Sequence, residues 1–365
     1  MLITHTEIYR FSLKMEPFII ATGTMDYAQN TLIKIYTDSG LIGYGECSAF
    51  PMIVGETQDT CLVLARDFAK LWKNKDSLAL DERLSELHAY VANNNTIKSA
   101  FDMALYDLAA KNEGEPLYKF LKGKAKPIVT DITVGIDTPK AMATKALDFK
   151  NKGATNLKIK LGKAPADDIC RIKTIRDAIG MEIPIRLDAN QGWTFAEAVT
   201  VLNALADEHI QFCEQPMRVY NDHLLPQLRY ETSIPIMADE SCYHHQDAER
   251  LINQGACDAI NIKLAKAGGI HEALKIHHVA KQQRVPCMIG GMLESRLALT
   301  ANVHLAYACE GVIYYDMDTC MIGHLEDPIR GGVIFDGYHI SLNEAPGIGA
   351  EVDENFLKEC ERWVI

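Results

Sequence analysis

Positive charge is scarce in this chain. Its 37 lysines and arginines face 49 aspartates and glutamates, a formal charge of −12. That excludes nucleic acid or an anionic membrane as the main partner, since both are bound through a basic footprint. No stretch approaches the 18 consecutive apolar residues of a membrane span. The first ten residues alternate like a strand and have no charged segment leading into an apolar one, so no signal peptide is expected. The ten cysteines are scattered and never form CxxC. Reduced, mostly buried thiols of a cytosolic protein are therefore expected, and a zinc site is not. Neither GxxxxGK[ST] nor HExxH occurs; Gly331 and Gly332 fall in a loop without phosphate-binding context, and His244 and His245 read as a wet pair opening a helix.

What is present is ample material for a core: 48% of the 365 residues are hydrophobic. Such a length allows two to three domains, or one large α/β barrel with an appendage. Thr31–Asp38 and Leu41–Glu46 are two β runs about a Ser39-Gly40 turn. The segment 17–30 before them is too irregular to assign, and 51–57 reads as a second loop. From Ile97, apolar residues recur on one helical face through Ala109, with Asn95 or Thr96 as cap and a stop near Gly114.

After Lys126 a repeat begins. Eight short apolar runs end at Thr133, Lys160, Asp188, Glu214, Asp239, Lys263, Gly290 and Asp316, in steps of 24 to 28 residues. One strand plus one helix per step is the arithmetic of a closed (β/α) barrel; a doubly wound open sheet is the alternative, but it needs no eight equal units. Thr194–Glu208 and Ile270–Gln283 have helical spacing in the gaps, with Thr194 as an N-cap.

Barrel chemistry sits at the C-terminal strand ends. Strands 3, 4 and 5 end in Asp188, Glu214 and Asp239. Three converging carboxylates repel unless a cation lies among them, and oxygen-only ligands favour a hard ion such as Mg²⁺. Strands 2 and 6 lie on opposite sides of an eight-stranded mouth and end in Lys158, Lys160 and Lys263. A like charge and a nearby cation are expected to lower the ammonium pKa, as a general base requires. Two bases facing each other across a cation permit proton removal on one face and return on the other, which inverts a stereocentre. On strand 8, Asp316 and Asp318 share a face, an uncompensated acidic pair suited to a substrate ammonium.

These residues together resemble the enolase superfamily in its muconate-lactonising-type subgroup. The matching motifs are Lys158-Ile-Lys160, Asp188-Ala-Asn190-Gln-Gly-Trp193, Glu214-Gln-Pro216, Ala238-Asp239-Glu240-Ser241 and Asn261-Ile-Lys263 with Gly268-Gly269. In the N-terminal part, Gly43-Tyr-Gly-Glu46, Ser99 to Leu108 and Pro116 to Leu121 also match. The resemblance implies a (β/α)7β TIM-like barrel over 125–340, an N-terminal α+β capping domain over 1–124 with specificity loops at about 17–30 and 51–57, and a C-terminal segment 341–365 completing the cap. It implies one Mg²⁺ per subunit on Asp188, Glu214 and Asp239, with Lys160, Lys263 and Lys158 catalytic. It also implies a homo-oligomer.

An Asp-x-Asp on strand 8 is similar to the signature of dipeptide epimerases, where it holds the N-terminal amine. That implies inversion of the α-carbon of the C-terminal residue of a dipeptide, a role in cell-wall peptide metabolism, and substrate contacts from Asp316, Asp318, Asn190, Thr133, Gly291, Met292, Gly23 and Met25. Backbone N–H groups of the Gly290-Gly291-Met292 turn are expected to meet the substrate carboxylate; Arg296 reads equally well as a surface residue. Epimerases acting on Ala-Glu carry a cation in the first loop, whereas 17–29 contains no lysine or arginine, Gly23 stands where the cation is expected, and Asp26 repels an acidic side chain. An Ala-Ala-like or other small or apolar dipeptide is the expected substrate, with a basic second residue, met by Asp26, as an alternative. Ala-Glu epimerisation remains the alternative within this class. An o-succinylbenzoate synthase, N-acylamino acid racemase or muconate-type cycloisomerase would use the same lysines and metal but not the strand-8 acids; a non-catalytic barrel is the remaining reading.

Overall fold

The computed structural model describes residues 1–365. The chain opens with strands β1 (Ile3–Ile20), β2 (Gly23–Thr37) and β3 (Ile42–Ser48), followed by helices α1 (Pro51–Val54), α2 (Gln58–Trp72), α3 (Leu80–Tyr90), α4 (Asn95–Asn112) and α5 (Leu117–Phe120). A short β4 (Ile128–Val129) leads into the repeat: β5 (Ile132–Val134), α6 (Pro139–Asn151), β6 (Leu157–Lys160), α7 (Pro165–Ile179), β7 (Ile185–Asp188), α8 (Phe195–Ala204), β8 (Ile210–Glu214), α9 (Leu225–Glu231), β9 (Ile236–Ala238), α10 (His245–Asn253), β10 (Ala259–Ile262), α11 (Leu264–Ala267), α12 (Ile270–Gln282), β11 (Cys287–Gly290), α13 (Arg296–Ala308) and β12 (Val312–Asp316). The end carries β13 (Ile329–Gly331), β14 (Val333–Asp336), β15 (His339–Leu342), β16 (Ala350–Val352), α14 (Glu354–Lys358) and β17 (Arg362–Val364).

Strands β5 to β12 form one eight-stranded parallel sheet in sequence order. No ladder joins its two ends, β5 and β12. The seam is closed by single bonds instead: Asp131 N–H to the Tyr315 carbonyl at 3.2 Å, Met317 N–H to Thr130 Oγ1 at 2.8 Å, and Thr133 N–H to an Asp318 carboxylate oxygen at 2.6 Å. The strands are short and nearly all apolar where they face the helices, as a sheet covered on its outer face requires. Thr194 caps α8 in a capping box with Glu197, as its sequence anticipates.

The cap is a four-stranded antiparallel sheet, β17-β1-β2-β3, so the last residues pair with the first strand. Segment 17–30 is not irregular. It is the tip and return of a long hairpin, whose register shifts between Lys14 and Phe18, and that shift hides the alternation. Within 51–57, α1 forms one short helix stopped by Gly55 at φ 79°. α4 begins at Asn95 with Asn94 as its cap, earlier than the apolar stripe suggests. A Cβ on Gly43 or Gly45 would overlap the backbone of α4 at Ala104 or Ala100, which explains why β3 carries glycine twice.

Two buried acids of the cap hold it to the barrel. Glu46 accepts from the N–H groups of Ser295 (2.8 Å) and Ala298 (3.1 Å) at the start of α13. Asp102 accepts from those of Ile270 (2.6 Å) and His271 (3.2 Å) at the start of α12. Helix N-termini leave unpaired N–H groups and favour negative charge, so each carboxylate clamps a barrel helix from above. Burial pushes the Asp102 carboxyl up to about 8. All ten cysteines are unpaired, and no helix is long and apolar enough to cross a membrane.

Candidate active site

A cavity lies between the cap and the C-terminal ends of the barrel strands. Its polar wall is Thr133, Lys158, Lys160, Asn190, Lys263, Gly291, Asp316, Asp318 and Thr319; its apolar wall is Phe18, Ile20, Phe50, Ile53, Met292, Leu293 and Ile322.

Register explains the polar wall. Lys158 faces the barrel interior, and Lys160, two residues on, shares its face and pairs in the ladder with Asp188, which in turn pairs with Glu214. Asp239 and Lys263 stand one residue past the ends of β9 and β10. Lys160 Nζ donates to Asp188 (2.6 Å) and to Asn190 Oδ1 (3.1 Å). Lys263 Nζ donates to Asp239 at 2.6 Å and stands 3.9 Å from Glu214. Lys158 Nζ is fully buried among Glu214 (2.7 Å), Asp316 (2.7 Å) and Asp188 (3.1 Å).

Three buried residues to which sequence reasoning gave no role complete the arc. Lys266 Nζ pairs with Asp239 Oδ1 at 2.8 Å and donates to the Asn261 carbonyl at 2.9 Å. Asn261 donates to Glu214 at 2.7 Å. Glu240 lies beside Asn190 Nδ2 at 3.4 Å, and burial together with Asp239 pushes its carboxyl up to about 8. Asn261 and Glu240 lie within the quoted motifs and Lys266 between two of them, but which group each reaches is set only across strands.

Burial would raise Asp188, yet Lys160 and Lys158 hold it at about 2. Lys263 and Lys266 likewise keep Asp239 well below the carboxylate range against burial. Glu214 goes up to about 7, pushed by burial and Asp188. The carboxylate set by itself opposes the lowering expected of the lysines. Although burial lowers both, Lys158 is held above its ordinary value by Asp316 and Glu214, and Lys263 by Asp239 and Glu214. Chain neighbours suggested repulsion, whereas carboxylates under 3 Å away from other strands dominate.

The donor set fits a hard divalent ion. Asp188, Glu214 and Asp239 offer only oxygen ligands from three adjacent strands. Glu214 Oε2 and Asp239 Oδ1 are buried without a hydrogen-bond donor; an ammonium lies at ion-pair distance from each but off the hydrogen-bonding direction.

A second acid group lies at the barrel seam. Asp131, Asp316 and Asp318 are buried, one oxygen of each lying within 4.8 Å of the others, a grouping that could hold a cation. Asp316 ends β12 and Asp318 caps the turn after it. Asp316 is not uncompensated as expected, because Lys158 reaches it from β6, on the other side of β5. Burial and Asp316 push Asp318 up to about 7.

Other expected substrate residues are placed differently. Gly291 and Met292 line the cavity, but the Gly291 N–H is spent on the Asp316 carbonyl at 2.8 Å and that of Met292 on Glu294. Gly23 and Met25 are not on the cavity wall; a Cβ on Gly23 would overlap the Met52 side chain, so the two cap loops interlock there. Asp26 is exposed. Arg296 pairs with Asp327 and donates to the carbonyls of Ile329 and Gly331, outside the cavity. His245 pairs with Glu272 at 2.5 Å at the start of α10.

Comparison with known proteins agrees with this geometry. Residues 4–122 match the mandelate racemase / muconate lactonizing enzyme N-terminal domain family, and residues 141–356 match the enolase C-terminal domain-like family. The chain is similar to a D-Ala-D/L-Ala epimerase from Cytophaga hutchinsonii, 42% identical over all of both chains. It is also similar to a hydrophobic dipeptide epimerase from Enterococcus faecalis, 39% identical over 94% of this chain and 98% of the other. A solved dipeptide epimerase from C. hutchinsonii, complexed with Mg and D-Ala-L-Val, superposes over all of both chains with a TM-score of 0.98 at 43% identity.

Proposed function

The chain belongs to the enolase superfamily, in its mandelate racemase / muconate lactonizing enzyme branch, and on that premise we propose that it is a Mg²⁺-dependent epimerase of small or apolar dipeptides. The observation that carries the reading is the convergence of Lys160 and Lys263, from opposite sides of the mouth, on one cavity and one carboxylate trio. Asp188, Glu214 and Asp239 would hold the Mg²⁺. When bound, the ion supplies positive charge at the substrate carboxylate beside the α-carbon.

The protein's residues do the rest. Asp316 and Asp318 receive the N-terminal ammonium of the dipeptide, which places the second residue between the two lysines. One lysine in its neutral form takes the α-proton of that residue, and the other, as an ammonium, delivers a proton to the opposite face of the enolate. The roles exchange for the reverse direction. Once Asp239 and Glu214 are committed to a cation, Lys263 loses the partners that keep it charged, which frees it to act as a base. Lys158, between the arc and the seam, keeps positive charge beside the developing enolate. The cap encloses these groups, and Phe18, Ile20, Phe50, Ile53 and Ile322 present apolar surface to the substrate. No cation stands on that wall from the cap, which favours an apolar second side chain over glutamate.

Residues 1–124 with 341–365 act as the specificity cap and 125–340 as the catalytic barrel. The unpaired cysteines support a reducing, cytoplasmic setting, the homo-oligomer is that implied by the family resemblance, and dipeptides from cell-wall peptide are the fitting supply. The test is a dipeptide library incubated with the enzyme and Mg²⁺ in D₂O and read by mass spectrometry. Deuterium entering Ala-Ala-like dipeptides is expected; no uptake in any dipeptide, with turnover of an N-succinyl amino acid instead, would sink the reading.

A further inference from the structure

Asp131 has no part in the chemistry above, yet it is fully buried directly behind the acid pair at the seam. One of its oxygens accepts from Arg186 Nη1 at 2.8 Å. The other, Oδ1, has no partner at all. An unpartnered carboxylate oxygen in a closed interior is costly, and it asks for a donor that arrives from elsewhere.

The spacing is compatible with an ammonium. A primary ammonium points three N–H bonds at tetrahedral angles. At charge-assisted N···O distances its three acceptors stand roughly 4.4–4.7 Å apart. One oxygen each from Asp131, Asp316 and Asp318 lies within 4.8 Å of the others. We propose that Asp131 is the third acceptor of the substrate's ammonium, completing a tripod with Asp316 and Asp318, and that Arg186 is the positioning residue that fixes it. This rests on the dipeptide reading and extends it: recognition is of a free primary amine with all three hydrogens.

The surroundings agree. Arg186 is locked by the Gln211 side chain (2.7 Å) and the Tyr315 carbonyl (3.1 Å), and its guanidinium lies over the rings of Phe212 and Tyr314. It pairs with one of the three acids, and a second, Asp316, has only a share in Lys158, which also meets Glu214 and Asp188. The seam is therefore short of positive charge, which a substrate ammonium supplies. No ladder joins β5 to β12, and one of the single bonds that close the seam runs from the Thr133 N–H to the Asp318 carboxylate of the tripod.

The test compares D-Ala-D-Ala with N-propionyl-D-alanine, the same molecule without its amine, by calorimetry on the Mg²⁺-loaded enzyme. Wild type is expected to prefer the amine. Asp131→Asn should lose about tenfold or more of that preference, as Asp316→Asn does, with KM rising and kcat nearly unchanged. Should Asp131→Asn fold poorly, Asp131→Leu with Arg186→Met removes both buried charges together, and it should lose the preference equally. A preference retained in both Asp131 variants but lost in Asp316→Asn overturns the proposal and leaves the dipeptide reading standing. A wild type with no preference for the amine overturns both. Titration with Mg²⁺ alone supplies the last check: a second equivalent that disappears in Asp131→Asn overturns the tripod in favour of a metal.

Discussion

The two acid groups of the barrel mouth are built differently. Along the arc from β6 to β10, every carboxylate of the trio touches an ammonium, and four lysines are threaded between them. At the seam between β5 and β12, three carboxylates have one guanidinium of their own and a share in Lys158. A region rich in interchangeable partners suits a site where charge is taken up and moved. A region short of one positive charge suits a site that waits for a fixed cation. Acidic residues alone do not separate the two functions; the cations interleaved with them do.

The largest blow falls on the arc. Chelation of Mg²⁺ should lower turnover by at least about a thousandfold, with recovery on adding Mg²⁺ back, because the enolate then lacks its main charge stabilisation. Next comes the seam. Asp316→Asn should raise KM for a free-amine dipeptide by about 10- to 100-fold while Mg²⁺ affinity by calorimetry changes little; loss of metal binding in this variant would make arc and seam a single unit. The apolar wall should show a smaller effect. Ala-Glu should be turned over with kcat/KM at least about tenfold below Ala-Ala, the size of one mismatched side chain in an apolar pocket; equal values would place a cation for glutamate somewhere in the cap.

The smallest effect lies away from both groups, in the clamp between cap and barrel. The Asp102 carboxyl is raised to about 8 from about 3.9 in the unfolded chain, so the folded state binds the proton more tightly. Its contribution to stability is complete below about pH 4 and is lost as pH rises through 8. Thermal unfolding from pH 5 to 9 should show Tm falling more steeply in wild type than in Asp102→Asn; parallel curves would mean that the carboxyl titrates normally.

The barrel was legible because each unit repeats one strand and one helix and because strand ends are where polarity breaks an apolar run: Asp188, Glu214, Asp239 and Lys263 all stand at such breaks. The cap hairpin was not, since the register shift after Lys14 and the small residues near Gly23 erase the period of two. Asp131 and Arg186 were invisible for another reason. Each is a lone charge flanking or inside an apolar strand, and only closure of the barrel brings one against the other. The carboxylates that hold Lys158 and Lys263 charged were hidden likewise, being neighbours in space and not in the chain.

The central claim is that two lysines serve opposite faces of one α-carbon. It is tested most directly by following α-proton exchange in D₂O by NMR, with each diastereomer of an Ala-Ala dipeptide separately, in Lys160→Ala and in Lys263→Ala. Each variant should lose net epimerisation, and each should exchange the α-proton of one diastereomer only, the opposite one in the two variants. Near-normal epimerisation in either variant, or exchange of the same diastereomer in both, would contradict it.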